Sequence, residues 1–184
     1  DATRRDSLAN WWIDGLRIAL EAQRLIDVGE FDNARIALTA LTQHGEMMSQ
    51  TQRDAARFGE RSEWTRAFRA LEVLASDTRG KLAMAGPADK RETAYNWFAS
   101  AMDRQQPATM LNPPMLLTPM ASHLGGFYLA TKKPAEAIEA FQRALEMFPN
   151  DMNSLVGLKA AFEAAGNTKD AESIGKRIDE LKSN

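Results

Sequence analysis

Residues 121–150, ASHLGGFYLATKKPAEAIEAFQRALEMFPN, decide how the rest of the chain is read. Leu124, Gly125 and Tyr128 fall on one face of a first helix, and Lys132-Lys133-Pro134 ends it. Ala137, Phe141 and Ala144 then share a face of a second helix that Pro149 closes. Gly125 and Ala137 have almost no side chain, so the two backbones can approach closely there, with Tyr128 and Phe141 filling the space beside the crossing. One such hairpin cannot cover its own apolar face, so a second copy is expected about 34 residues further on. That shift carries Ala121 to Leu155, Leu124 to Leu158, Tyr128 to Phe162 and Ala137 to Ala171, with Gly166-Asn167 at the turn. Lys159 stands where Gly125 stood, Gly175 where Phe141 stood and Ile178 where Ala144 stood, so the second copy is degenerate.

The order Leu124-Gly125, Tyr128, Ala137, Phe141, Ala144, Pro149, followed by Ala171 in the next copy, resembles the tetratricopeptide repeat (TPR), with Ala121 where that family commonly has Trp. The wider arrangement is similar to bacterial members. The resemblance implies an all-α chain, a right-handed α-solenoid of about eight helices in hairpin pairs, without catalytic activity. It places the first helix of each pair along a concave groove that holds a peptide or protein partner. Carried onto this sequence, the groove takes Ser122, Gly126 and Leu129 from one unit and Asn153, Val156, Ala160 and Glu163 from the next. Relatives that grip chaperone C-terminal carboxylates place Lys, Arg and Asn there. Here Ser122, His123, Val156, Gly157 and Ala160 occupy those places, which argues for a more apolar partner or a packed-in segment.

Composition sets wide bounds. The 184 residues suffice for one domain with a sizeable core, and 44% apolar and 8% aromatic content suits a folded chain. Lys and Arg number 23 against 25 Asp and Glu, a net charge of −2, so no basic field calls for nucleic acid. Absence of Cys excludes disulfides, thiolate metal sites and cysteine nucleophiles. No apolar run of about 18 residues marks a membrane span. A first residue of Asp1 rather than Met leans toward an exported, periplasmic protein over a cytoplasmic one.

Outside the opening stretch the chain reads as a single array of helix pairs over 7–43, 46–105, 115–148 and 151–182, with a Pro-rich loop at 106–114. Ser7 is the expected N-cap of a helix running to about Val28, where Gly29 stops it. A shorter helix follows with Phe31, Ala34, Leu38 and Leu41 as its stripe; Ala34 sits at a close crossing, and Glu21-Ala22 replaces Leu-Gly in the partner helix. Phe58, Trp64, Phe68, Leu71, Leu74, Leu82 and Met84 line the next pattern. A break is expected at Gly59, an end at Gly86-Pro87 and a cap at Asp89. Ala94, Trp97, Phe98 and Ala101 then share one side of a further helix, after which Pro107, Pro113, Pro114 and Pro119 forbid another until the repeat begins.

Candidates for chemistry are few. His44 with Met47 and Met48, and His123 with Met115 and Met120, pair imidazole with thioether, a combination suited to Cu(I). The competing reading makes those methionines core fillers. Trp11 and Trp12 point about 100° apart on a helix; helical spacing favours core for both, which needs two neighbours to cover them, and the alternative puts one on an exposed or partner-facing side. Ser122 and His123 are adjacent and lack a third member, Gly125-Gly126 sits within a helix without a phosphate-loop Lys, and Glu136/Glu139 and Asp179/Glu180 are solvated pairs. The sequence therefore reads as a cofactor-free interaction or scaffold module. The alternatives are copper handling and a self-assembling scaffold, although Lys169, Lys176, Asp179 and Glu180 suit the outer face of the last helix to contact with water.

Overall fold

The computed structural model describes residues 7–55, 61–88, 91–107, 109–110 and 113–183; at 52–55 only the backbone is described. Those residues form eight helices, with no strand among them. We number them α1 (Leu8–Asp27), α2 (Phe31–Ala55), α3 (Arg61–Ala85), α4 (Thr93–Arg104), α5 (Met120–Ala130), α6 (Pro134–Met147), α7 (Met152–Ala164) and α8 (Thr168–Ser183). The all-α, hairpin-based class read from the sequence is the class observed. Two compact units divide the chain, Asp1–Arg104 and Gln105–Asn184, and the boundary falls where the Pro-rich segment starts. The expectations placed on Phe58, Gly59 and Asp89 lie outside the described residues.

In the first unit Ser7 caps α1, its side chain accepting from the Asn10 N–H at 3.3 Å. The predicted end of the second helix near residue 43 is not observed: α2 continues without interruption to Ala55. Gly45, just past that expected end, is buried beside the Phe68 ring, and packing there outweighs the roughly 1 kcal/mol by which Gly disfavours a helix. Helix α3 packs against α1, α2 and α4. Being surrounded, it buries small and polar residues on several sides, including Ala67, Ala70, Ala75, Ser76, Asp77 and Thr78. Thr78 returns its hydroxyl to the Leu74 carbonyl at 2.8 Å, and Asp77 pairs with Lys81 at 3.0 Å. Of the apolar members expected here, Trp64 and Leu71 are buried, while Phe68, Leu74, Leu82 and Met84 are half-buried. Ala94, Phe98 and Ala101 of α4 are core as read, whereas Trp97 is 38% exposed and leaves that set.

In the second unit each helix packs on the next, and α5 also touches α7. Leu155, Leu158, Ala171 and Ile178 are buried, as the shifted copy requires. Gln105 ties the Pro-rich segment closed: its Oε1 accepts from the Met120 N–H at 2.7 Å and its Nε2 donates to the Thr118 carbonyl at 2.8 Å. This side chain thereby supplies the cap that Pro119 cannot give α5.

Three hairpins turn in the same way. After α1, α5 and α7 a residue at positive φ follows the C-cap: Gly29 (81°), Lys132 (59°) and Gly166 (77°). In each, its N–H and the next bond back to carbonyls of the last turn: Gly29 to Ile26 and Glu30 to Leu25, Lys132 to Leu129 and Lys133 to Tyr128, Gly166 to Glu163 and Asn167 to Phe162. The buried Ala34, Ala137 and Ala171 follow at equal distance from the three turns, so α1–α2 repeats the local geometry of the later hairpins. Lys132 holds a conformation that costs a residue with a Cβ about 1–2 kcal/mol. Part of that returns as restricted freedom of the unfolded chain. Lys132→Gly is therefore expected to raise stability by about 0.5 kcal/mol, read from the denaturant midpoint at unchanged slope.

Candidate partner-binding face

The face assembles on α5 and α7, the first helices of two successive hairpins, which lie against each other. Of the seven residues assigned to it, Gly126, Asn153, Val156 and Glu163 are exposed, Val156 by 51%, while Leu129 and Ala160 are half-buried. Ser122 does not belong to the face. It is buried, and its hydroxyl donates to the Pro119 carbonyl at 2.7 Å within the first turn of α5. Leu129 has a second duty, because it packs against the core cluster of Ala137, Phe141, Leu158 and Ala161. Glu163 is ion-paired with Lys159 one turn earlier on α7. What remains for a partner is Gly126, where an added Cβ would meet nothing within 4 Å, together with Asn153, Val156 and Ala160. This strip is small-sided and uncharged. It suits apolar and backbone contacts and offers no group for acid–base or nucleophilic chemistry.

Beneath it, the repeat positions behave as spacers and a wedge. Leu124, Ala137, Phe141, Ala144 and Ala171 are buried, Tyr128 is half-buried and Pro149 is exposed. A Cβ on Gly125 would come within 2.9 Å of the Phe141 ring, and one on Gly157 within 2.3 Å. The ring is thus held against glycines of two helices, α5 and α7. The sequence places Gly157 only among the groove positions; the repeat shift maps it onto His123, and neither reading sets it against Phe141. The second hairpin reverses the sizes. Its Lys159 stem lies 3.5–3.9 Å from where a Cβ on Gly175 would stand, so the two departures from the pattern complement each other.

Residues 128–184 match the family model of the tetratricopeptide repeat. No curated protein and no solved structure matches the chain. The tetratricopeptide match starts inside α5, covers α6 to α8 and includes the Lys159–Gly175 reversal. Tetratricopeptide repeats generally mediate protein–protein contact and are typically non-catalytic. Among the described residues, no helix is long and apolar enough to cross a membrane.

The His–Met clusters lie upstream of the tetratricopeptide match. The His44 Nε2 is 2.8 Å from the Trp11 carbonyl, which only accepts, so Nε2 carries the hydrogen and Nδ1 alone keeps a lone pair. The Trp11 and His44 rings lie 4.9 Å apart, and both Trp11 and Trp12 are half-buried. Met48 is fully buried while Met47 is 55% exposed, so these two thioethers do not share a side of α2. Met120 is buried and His123 half-buried on α5. Among the described residues, no three His, Asp or Glu side chains gather where they could hold a metal ion.

Proposed function

We propose that the chain is a non-catalytic interaction module that holds a protein or peptide segment along the α5/α7 face of its second unit. The observation carrying this reading is the uncharged strip of Gly126, Asn153, Val156 and Ala160 on two touching first helices, with half-exposed Val156 as its apolar anchor. A segment of neutral, partly apolar side chains suits it better than an acidic tail, since the strip carries no basic residue to pair with one. Leu129→Glu is a poor probe because Leu129 supports the core. Val156→Glu and Ala160→Glu test the face cleanly, because they place charge on a surface that a partner would dehydrate. A partner captured by the wild-type chain is expected to bind the Val156→Glu/Ala160→Glu protein at least about tenfold more weakly, with melting temperature unchanged. Undiminished binding would remove the face from the proposal.

A further inference from the structure

A hollow of about 390 Å³ opens between α2, α3 and α4, wholly within the first unit. Leu41, Phe68 and Leu71 give it an apolar lining, and Arg79 and Trp97 its most distinctive groups. Arg79 is held from two sides: an Nη2 N–H donates to the Thr42 hydroxyl at 2.9 Å, and the guanidinium carbon lies 5.1 Å from the Trp97 ring centroid. Among the described residues no carboxylate pairs with it. Burial holds its pKa below the ordinary arginine value, with no anion offsetting the effect. A guanidinium nonetheless stays charged, so a half-buried cation sits here with most of its donor fork unused. Its neighbours define what could satisfy it. Glu72 is engaged by Arg104 at 3.4 Å, and Glu46 is exposed, one helical turn beyond Thr42. The lining is therefore neutral as a whole, Arg79 and Arg104 against Glu46 and Glu72, but Arg79 pairs with no carboxylate, and beside Glu46 its single charge suits a monoanion better than a dianion.

We infer that this hollow binds a small monocarboxylate with an apolar body, its carboxylate on the Arg79 fork and its body against Phe68, Leu71 and Trp97. The volume lies toward the small end of ligand pockets, and Leu41, Phe68, Leu71 and Trp97 share the lining with polar groups among which Arg79 is the cation no carboxylate engages. The site is separate from the α5/α7 strip and stands whether or not that proposal holds. The carboxylate is presented either by a free acid or by a chain terminus.

Calorimetry together with ¹⁵N–¹H spectra of the Trp97 indole and Arg79 Nε groups tests this with octanoate, 1-octanol, octyl phosphate and N-acetyl-Leu-Leu. Octanoate is expected to shift both signals and to bind at least about tenfold more tightly than octanol, because only the acid pairs with Arg79. Octyl phosphate should trail octanoate. Arg79→Gln should lose the octanoate preference while keeping or raising the melting temperature, since a desolvated cation without a partner does not stabilise the fold. Should Arg79→Gln not fold, Glu46→Gln serves instead, and is expected to tighten octyl phosphate more than octanoate. A preference for N-acetyl-Leu-Leu over octanoate assigns a chain terminus as the source, the reverse order a free acid, and either supports the site. Equal binding of octanol and octanoate, or an undiminished octanoate preference in Arg79→Gln, overturns the inference. So does the absence of any shift at Trp97 and Arg79 with about 10 mM octanoate.

Discussion

Phe141→Ala is expected to destabilise the second unit by about 3–5 kcal/mol, the range for emptying a buried aromatic site. Phe141 is 3% exposed, and the space it vacates is bounded by the backbones at Gly125 and Gly157. No side chain on those residues can lean in to fill the hole, so the cost should fall in the upper part of the range. For a unit of this size each kcal/mol shifts the melting temperature by about 4–8 °C, which predicts a fall of more than about 12 °C. Hydrogen exchange should accelerate across α5, α6 and α7 and leave α1–α4 unaltered. Gly157→Ala probes the same contact from the other side. Helix propensity alone favours Ala by about 1 kcal/mol. Its Cβ would stand 2.3 Å from a ring that Gly125 already hems in, so a net loss of about 1–3 kcal/mol is expected. A stabilised Gly157→Ala protein would show that the ring yields and that the contact does not constrain the hairpins.

Lys81→Met carries the next largest effect. Asp77 is 1% exposed on the most enclosed helix of the first unit, and its carboxylate lies 3.0 Å from the Lys81 ammonium. Removing one member of a buried pair leaves the other charge in a medium that solvates it poorly, typically at a cost of about 3–5 kcal/mol. The Lys81 side chain is 29% exposed, which places the expected loss nearer about 3 kcal/mol. The mirror substitution, Asp77→Ala, should cost less than half as much, because a freed ammonium on a flexible stem can turn toward water while a buried carboxylate cannot. Lys81→Arg should remain close to wild type. Denaturant unfolding of the three variants gives the comparison, and equal losses from the Lys81→Met and Asp77→Ala substitutions would contradict the asymmetry.

How far the sequence could be read depended on the range of each interaction. Turns and close crossings announce themselves locally, through Gly29, Gly166, the Lys132–Pro134 stop and the small residues Ala34, Ala137 and Ala171. The hairpins were therefore legible. The continuation of α2 past Gly45 was not, because Phe68 of another helix decides it. Ser122 and Trp97 were misplaced for the same reason. Helical periodicity reports a direction around an axis, but not that a hydroxyl bonds its own first turn, or that an indole lies across Arg79. The face on α5 and α7 followed from the resemblance, and the hollow at Arg79 from neither pattern nor motif, since it is made by residues of α2, α3 and α4 that meet only on folding.

The reversal of sizes between the two hairpins bears on how the chain avoids assembling wrongly. Helix α5 presents a glycine to the phenylalanine of α6, whereas α7 presents a lysine stem to the glycine of α8. Exchange the partners, and Lys159 would collide with Phe141 while Gly125 and Gly175 would face each other across a gap. At these positions each first helix thus suits its own successor better than the other's. Arrays of near-identical hairpins are prone to pairing out of order or between neighbouring chains while they fold. The residues that make the last copy look degenerate would disfavour such an exchange.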